Sequence, residues 1–418
     1  MLEKKPLLSR KILRKERDAK VLLIDPERPS WVVVSKSMAD LLCKLDGSKT
    51  VEQIIRDTSD KVQKDVTPQL ISGFEKLFKL GIFNSDDNCS NYQSQTLDQV
   101  YFNLTKKCNL QCCYCYASAS MTNVLKEMPL DFWNKVVTQL KQLNPSSNIC
   151  LTGGEALLFD GFWQLAEKVR ENGLGLSLIT NGTLAEPEDA KRFKSLFHNI
   201  KISVDSLDEN INSVTRGVGA LEKARRFIDC LIAEGFKPTI MVVVTKENAH
   251  RLSEFKASFE DKVSITYQPM YVMGRASDDD ILGLTAAEYY SALDSAKIDK
   301  MKEENTMVRN RKLLWCGMGR NVVSIEADGR VYPCHLLHNE ELKLGDLNQD
   351  DISAIWSKSA FRKNSVDDIE ECCTCEIKYL CGAPCRARAY LATGSIFRKD
   401  PLCPDFIKTS HIENMFTS

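Results

Sequence analysis

The sequence has no excess of charge of either sign. Its 418 residues carry 56 Lys and Arg against 57 Asp and Glu, which gives a formal net charge of −1. A protein that binds nucleic acid through its phosphates needs a concentrated basic surface, and no segment here supplies one. We therefore expect no nucleic-acid partner.

Long hydrophobic runs are also lacking. No apolar stretch approaches the ~20 residues that a membrane-spanning helix needs. The first residues, MLEKKPLLSRK, lack the apolar centre of a secretory signal peptide. We expect a soluble, cytoplasmic protein without a membrane partner.

Cysteine, in contrast, is abundant, with 16 in the chain. In a reducing compartment, cysteines in such number are expected to be metal ligands or catalytic groups rather than disulfides. They are unevenly spread: one group lies near residue 110 and another lies between residues 316 and 403.

Residues 1–85 have the pattern of a small winged-helix-like domain. The segments VLLID and SWVVVS are short β-rich runs that predict a hairpin, and three helical patterns follow up to Phe83. The polar residues 86–98 then predict a linker.

Residues 99–305 alternate between strand and helix patterns. Six apolar strands (VYFNLT, NICLT, LSLIT, IKISV, TIMVVV and VSITYQ) alternate with amphipathic helices, which predicts an α/β fold with a parallel sheet covered by helices. Either a partial (β/α)6 barrel or a doubly wound sheet fits. In a barrel, functional groups gather where the strands end, and the first cysteine group, TGGE, TNG, SVDS and QPM all lie at such ends.

From residue 306 the chain is predicted to form a third, cysteine-rich domain. Strand–helix alternation stops after Arg311, and cysteine, glycine and proline punctuate the sequence to residue 418. Such a segment is typical of a domain organised around metal rather than around a large apolar core.

The first cysteine group, in TKKCNLQCCYCYAS, has the spacing C-x3-C-x2-C. Cys108, Cys112 and Cys115 place three thiolates on one loop, with Cys113 out of step. Three thiolates suit a cubane iron–sulfur cluster that keeps one iron open for a small molecule. A structural zinc site completed by a distant Cys or His is the alternative, since zinc takes four ligands.

With Tyr114 before its last cysteine, this motif resembles that of the radical S-adenosylmethionine (SAM) superfamily. The resemblance implies that SAM chelates the open iron of a 4Fe–4S cluster. One electron from the cluster then cleaves SAM to methionine and a 5′-deoxyadenosyl radical. Cys108, Cys112 and Cys115 are accordingly the predicted catalytic residues.

Further motifs follow in the order of that superfamily, between residues 99 and 275. Paired glycines let backbone approach a ligand closely, and an arginine offers a carboxylate two parallel hydrogen bonds. The resemblance implies that the SAM-binding residues are Tyr114, Gly153, Gly154, Glu155, Asn181, Ser203, Asp205 and Arg216.

The C-terminal cysteines resemble the seven-cysteine SPASM extension of peptide-modifying radical SAM enzymes. The spacing is C-x12-G-x4-C from residue 316, then C-x2-C-x5-C-x3-C from residue 372 and a last cysteine at 403. A zinc ribbon is the alternative. The resemblance implies two auxiliary 4Fe–4S clusters, three in all: a proximal one on Cys316, Cys334 and Cys385, and a distal one on Cys372, Cys375, Cys381 and Cys403.

One departure from the family pattern concerns the proximal cluster. Some relatives supply a fourth ligand shortly after the first cysteine, but GMGRNVVSIEADG after Cys316 contains none. We hypothesise that the open iron binds a substrate thiolate, which would favour thioether formation. Cys373 or another ligand completing the cluster is the alternative.

The N-terminal domain resembles the PqqD-like recognition element of enzymes that modify ribosomally made peptides. In that family a leader peptide adds as a strand to the sheet edge. The resemblance assigns this role to WVVVS and to the helix around Ile71 to Leu80. The implied partners are a leader-bearing precursor peptide and a flavodoxin- or ferredoxin-type electron donor.

The predicted function is hydrogen abstraction from a precursor peptide by the 5′-deoxyadenosyl radical, followed by closure of an intrapeptide crosslink, with a thioether favoured. The alternatives are carbon–carbon crosslinking, decarboxylation, epimerisation or a sulfatase-maturing activity. A non-enzymatic iron–sulfur electron carrier is the alternative from another class.

Overall fold

The structure, a computed structural model, describes residues 1–8, 12–25, 30–79, 82–83, 96–259, 261–278, 282–298 and 315–403, and a few positions beyond. The predicted boundary at 305/306, most of the predicted linker 86–98 and Leu80 lie outside these residues. Within them, no helix has the length and apolar character to cross a bilayer.

The N-terminal domain is a three-stranded antiparallel sheet followed by three helices. Helix α1 is capped by the Ser35 hydroxyl, and α2 begins with a reciprocal capping box between Thr50 and Gln53. The elements are β1 (Leu13–Arg17), β2 (Lys20–Asp25), β3 (Ser30–Ser35), α1 (Lys36–Leu42), α2 (Val51–Val62) and α3 (Thr67–Lys79).

The two faces of this small sheet have different partners, because successive side chains of a strand point in opposite directions. Val21, Leu23 and Val32 pack onto the domain's own helices. Leu22, Ile24 and Trp31 pack instead against residues of the C-terminal domain, among them Ile377 and Leu380. The N-terminal domain is thereby attached to the cysteine-rich region through a buried apolar contact.

The middle of the chain forms six parallel strands in sequential order, each followed by helix, which confirms the predicted α/β fold. The strands are β4 (Gln99–Asn103), β5 (Asn148–Thr152), β6 (Gly175–Thr180), β7 (Asn199–Ser203), β8 (Thr239–Val244) and β9 (Ser264–Pro269). The helices are α4 (Leu130–Leu143), α5 (Phe162–Glu171), α6 (Ala190–Leu196), α7 (Glu209–Arg216), α8 (Ala220–Ala233), α9 (Leu252–Ala257) and α10 (Ala286–Ser295).

The sheet is larger than the six strands that the sequence predicts. β10 (Val322–Ile325) pairs in parallel with β4, and β11 (Arg330–Tyr332) and β12 (Gly345–Asp346) extend the same edge. Val323 and Ile325 lie in the same apolar core as the central strands. These strands have two to four residues each, too short for a periodicity to be recognised. The C-terminal helices are α11 (Ile352–Ser357), α12 (Lys378–Cys381) and α13 (Arg386–Thr393).

Alternation along the central strands separates an apolar shell from a polar interior. On β4, Val100 and Phe102 face the helices, where the Phe102 ring lies 4.7 Å from that of Trp133. The next residue, Asn103, points to the opposite face and is also buried, but its amide donates to the Ser324 hydroxyl on β10. The inner side of the sheet is therefore lined by hydrogen-bonded polar groups.

The contact between the N-terminal and C-terminal domains can be tested with Trp31→Ala. Removing this buried ring should cost about 3–5 kcal/mol of packing and increase hydrogen exchange in β2, β3 and α12 together. Val32→Ala is the control, since Val32 faces the opposite side of the same sheet. It should increase exchange within the N-terminal domain and leave α12 unchanged. Equal protection of α12 in all three proteins would contradict the contact.

Candidate functional site

The loop between β4 and α4 holds the first cysteine group; we call residues 104–118 the cysteine loop. The thiols of Cys108, Cys112 and Cys115 lie close together: Cys115 raises the pKa of Cys108, and Cys115 and Cys108 both raise that of Cys112. Burial is the main cause, and it raises the pKa of Cys112 to about 11. A free thiol would therefore keep its proton at neutral pH, whereas a metal displaces that proton and accepts the thiolate.

The paired glycines predicted to approach SAM make their tightest contacts with the cysteine loop. Gly153 and Gly154 follow β5, and the Gly154 amide donates to the Thr105 carbonyl at 2.7 Å. A Cβ on Gly154 would lie 2.2 Å from the Lys107 carbonyl oxygen, and one on Gly153, whose φ is +134°, would lie 2.4 Å from that of Thr105. Only glycine lets these two backbone segments approach so closely.

Glu155 ties the ends of two neighbouring strands together. Its carboxylate, which is 1 % exposed, accepts from the Thr180 hydroxyl at 2.7 Å and the Asn181 amide at 2.8 Å. Burial raises its pKa, and these hydrogen bonds oppose that shift. The Asn181 side chain in turn donates to Asn109 of the cysteine loop at 2.9 Å. Two predicted SAM-binding residues are thus joined to the loop.

Asp205, just after β7, is the centre of a second network. Its carboxylate accepts from the Tyr114 hydroxyl, from Thr215 at 2.7 Å and from the Val243 amide at 3.1 Å. Arg216 donates through Nη2 at 3.0 Å and places Nε 3.0 Å from the other oxygen. The structure thus joins Tyr114, Asp205 and Arg216, whereas Ser203 ends β7 half-buried beside them.

Charge in this network is balanced inside the protein. The Arg216 side chain is 7 % exposed and that of Asp205 is fully buried. Burial lowers the pKa of Arg216, but Asp205, Tyr114 and Cys112 together raise it by more, so the net shift is upward. Arg216 also lowers the pKa of Cys112. A permanent positive charge therefore lies beside the cysteine loop.

Sequence reasoning missed a clamp on the other side of the loop. Arg275 donates through Nε to the Cys112 carbonyl and through Nη1 to the Ala119 carbonyl, both at 2.7 Å. The preceding Gly274 lies so close that a Cβ would be 2.4 Å from the Cys115 carbonyl oxygen. The only signal was the Gly-Arg pair shortly after β9, which no motif distinguishes from a turn.

A cavity of about 380 Å³ opens between the cysteine loop and the C-terminal domain. Its wall includes Gly154 and a buried polar group that the sequence did not reveal. Glu326 accepts from His338 Nδ1 at 2.7 Å and from Lys106 at 3.0 Å. Burial raises the pKa of Glu326, but His338 and Lys106 lower it by more, to about 2. The cavity therefore has a permanent carboxylate in its wall.

A second cavity, of about 360 Å³, is lined by all three proximal cysteines: Cys316, Cys334 and Cys385. Burial raises the pKa of Cys334, and the other two thiols raise it further. Cys381 lines the same cavity. Cys373 does not, and its thiol donates to the Glu370 carbonyl at 3.1 Å.

The distal cysteines are Cys372, Cys375, Cys381 and Cys403, of which Cys381 is the last residue of α12. Burial raises the pKa of Cys403 to about 11, and the thiols of Cys372 and Cys375 contribute to this rise. Cys381, at the end of α12, belongs to the same small apolar cluster as Cys375. Its backbone thus lies between the proximal and distal groups.

The donor chemistry of all three groups fits iron–sulfur clusters. Each group brings together three or more thiols, and all of these cysteines are buried or half-buried except Cys316, which is exposed. Among the described residues, no three His, Cys, Asp or Glu side chains converge as the ligands of a single ion would. Cubane ligands bind separate irons and need not converge on one point.

Two family models match the chain. Residues 102–258 match the radical SAM superfamily, and residues 316–376 match the SPASM iron–sulfur cluster-binding domain. These matches cover the cysteine loop, the strand-end motifs and the first five C-terminal cysteines. The chain therefore has a radical SAM domain followed by a SPASM domain, and it is an enzyme whose cofactors are SAM and 4Fe–4S clusters. An electron carrier without enzymatic activity is not retained.

Curated relatives share about a quarter of their residues with this chain. An AdoMet-dependent heme synthase of Nitratidesulfovibrio vulgaris is 29 % identical over 346 residues, covering 74 % of this chain and 93 % of its own. The mycofactocin maturase MftC of Mycolicibacterium smegmatis is 26 % identical over 318 residues, covering 72 % and 81 %.

Solved structures share the fold at lower identity. The enzyme anSMEcpe with bound AdoMet has a TM-score of 0.61 at 17 % identity, covering 77 % of this chain and 98 % of its own. SuiB of Streptococcus suis bound to S-adenosylmethionine has a TM-score of 0.58 at 15 % identity, covering 95 % and 99 %. The alignment with SuiB extends over nearly the whole chain.

Gly154→Ala tests the close approach of β5 to the cysteine loop. The new methyl group would clash with the Lys107 carbonyl and displace the loop. We expect the purified, reconstituted variant to contain about four iron atoms fewer than the unaltered enzyme, the content of one 4Fe–4S cluster, and to have no SAM-cleaving activity. Gly73→Ala is the control, because its Cβ would make ordinary contact with Met38 on a helix. Full iron content and SAM cleavage in Gly154→Ala would contradict the assignment.

Proposed function

We propose that this radical SAM–SPASM enzyme modifies a ribosomally made precursor peptide by closing a thioether between a cysteine sulfur and a carbon. The observation that carries the proposal is the arrangement of the three cysteine groups. The cysteine loop and the proximal cysteines each border a cavity, the two cavities share His335 and Leu336 in their walls, and the 380 Å³ cavity is lined by both the barrel and the C-terminal domain.

The N-terminal domain supports a peptide as substrate. β3 pairs with β2 on one side, and among the described strands no other pairs with its outer edge. An edge strand with unpaired amides and carbonyls can accept a peptide as an added strand. α3, which contains Ile71, packs behind this sheet. We propose that the leader peptide binds here, as the resemblance to PqqD-like elements implies.

The names of similar proteins point the same way. One relative is a maturase, and SuiB has been solved bound to its precursor peptide SuiA, with 94 % of this chain aligned. The alignment with SuiB covers 95 % of this chain and must therefore include most of the N-terminal domain, whereas the alignment with anSMEcpe covers 77 %.

In the proposed reaction, SAM and its cluster supply the 5′-deoxyadenosyl radical. Cys108, Cys112 and Cys115 hold that cluster, and the clamp by Arg275 and the contact with Gly154 fix their loop. The place where SAM would bind is bordered by Gly153, Glu155, Asn181 and Ser203. A positive charge is kept beside it by the network of Tyr114, Asp205 and Arg216.

The proximal cysteines are proposed to hold an auxiliary cluster with an iron open to the substrate thiolate. The 360 Å³ cavity in front of them offers room for a side chain. Cys373 is a poor fourth ligand, because its thiol is directed at the Glu370 carbonyl. Cys381 is near enough to compete, although we assign it, with Cys372, Cys375 and Cys403, to the distal cluster. A flavodoxin- or ferredoxin-type protein is the proposed electron donor.

A second candidate is chemistry on a tetrapyrrole, because an AdoMet-dependent heme synthase is among the relatives and is slightly more similar in sequence than the maturase. The N-terminal domain favours the peptide, since a small-molecule substrate needs no strand-binding edge. Decarboxylating, epimerising, carbon–carbon crosslinking and sulfatase-maturing activities remain alternatives within the peptide class.

The substrate class is tested by coexpression with a candidate precursor peptide, chosen from short reading frames beside the gene, followed by mass spectrometry. We expect a loss of two hydrogens, which marks a crosslink; a loss of formic acid would mark decarboxylation instead. A peptide without its leader is the control and should stay unmodified. An unmodified full-length peptide, together with turnover of an added tetrapyrrole, would refute the proposal in favour of the second candidate.

The open proximal iron is tested by Mössbauer spectroscopy of the reconstituted enzyme. Addition of a cysteine-bearing precursor peptide should change the signal of one iron site, because a thiolate replaces its exchangeable ligand. The same peptide with Ser in place of Cys is the control and should cause no change. Identical spectra with and without the cysteine peptide would rule out substrate ligation.

A further inference from the structure

A chain of polar side chains leads away from the proximal cysteines. Tyr271, two residues after β9, donates its hydroxyl to Cys385 Sγ at 3.8 Å. Arg388, on the first turn of α13, donates through Nη1 to the Tyr271 oxygen at 3.4 Å. Asp400 holds this guanidinium from behind, with Oδ1 3.0 Å from Nε and Oδ2 2.8 Å from Nη2.

This row of hydrogen-bonded side chains is shielded from water. The Arg388 side chain is 12 % exposed and that of Asp400 is fully buried. Burial, and secondarily Cys385, raises the pKa of Tyr271 well above its usual range, so its hydroxyl keeps its proton. A hydroxyl whose oxygen accepts from a guanidinium is a stronger donor in turn, because successive hydrogen bonds polarise one another.

We propose that Tyr271, supported by Arg388, is a positioning residue that raises the reduction potential of the proximal cluster through its hydrogen bond to the Cys385 sulfur. The inference rests on the proposed assignment of Cys316, Cys334 and Cys385 to one cluster. Reduction adds negative charge to a cluster and its sulfurs, so a donor directed at a sulfur stabilises the reduced form more than the oxidised form.

The position of Asp400 explains why the effect falls on the proximal cluster. Asp400 lies three residues before Cys403, whose amide donates to the Asp400 carbonyl at 2.8 Å. On the distal side, the Asp400 carboxylate therefore offsets the Arg388 charge. On the proximal side, the Tyr271 hydroxyl passes the polarisation on. The same ion pair thus acts unequally on the two auxiliary clusters and favours electron acceptance at the proximal one.

A role of Tyr271 in packing alone is the competing explanation, and the chain contains a matched control. Tyr289 lines the same cavity and is also buried, but its hydroxyl donates to the Tyr267 backbone carbonyl at 2.9 Å rather than to a sulfur. Removing either hydroxyl takes one polar atom from the same cavity wall, and only one of them faces a cluster ligand.

The experiment is a redox titration of the reconstituted full-length enzyme, followed by electron paramagnetic resonance without any peptide. In Tyr271→Phe, the ratio of reduced to oxidised proximal cluster at a fixed potential should fall about tenfold, which is about 59 mV for a one-electron couple. Tyr289→Phe should titrate like the unaltered enzyme. Arg388→Lys keeps the positive charge but loses the planar guanidinium with its several donors. It should lower the reduction potential of the same cluster by a smaller amount.

An unchanged midpoint in Tyr271→Phe at full iron content, or an equal shift in Tyr289→Phe, would overturn the proposal. Loss of iron from Tyr271→Phe but not from Arg388→Lys would also overturn it, because Tyr271 would then hold the cluster in place. Cys385→Ala tests the premise separately, since unchanged iron content there would refute the ligand assignment. None of these outcomes depends on whether the substrate is a peptide.

Discussion

A single buried carboxylate, that of Asp205, holds together the end of the barrel where the chemistry is expected. An ionised group without access to water is tolerated only when hydrogen bonds and an opposite charge surround it. Asp205 receives both from three directions: Tyr114 of the cysteine loop, Thr215 and Arg216 of α7, and the β8 backbone at Val243. The loop, the helix and the strand are therefore fixed relative to one another by the same demand for charge compensation.

The glycines and the arginine clamp extend this fixation to the whole cysteine loop. Gly153 and Gly154 bring β5 into backbone contact with one side, and Arg275 binds the carbonyls of the other. Nearly all of these contacts involve backbone groups of the loop, so they set its path without occupying its thiols. The cysteine side chains thus stay available for iron while the peptide that carries them is immobilised.

The fold was predictable where a pattern repeats, and the site where a spacing is characteristic. Six strands longer than four residues reveal themselves through apolar periodicity, and three cysteine groups through their intervals. The pairing of β10 with β4 was not predictable, because strands of two to four residues carry no period. The clamp by Arg275 was not predictable, because Arg275 meets the Cys112 carbonyl across 163 residues of sequence. The contact of His338 with Glu326 was not predictable either, because no periodicity or motif links the two residues.

The pairing of β10 with β4 also bears on whether the radical SAM domain can be separated from the SPASM domain. The barrel's first strand has no free edge in the intact protein, because the SPASM segment supplies its neighbour. A protein cut before residue 315 would expose the amides and carbonyls of β4 along an apolar edge, which is a template for intermolecular pairing. The SPASM segment therefore completes the radical SAM sheet, and any replacement of this C-terminal extension would have to supply a new neighbour for β4.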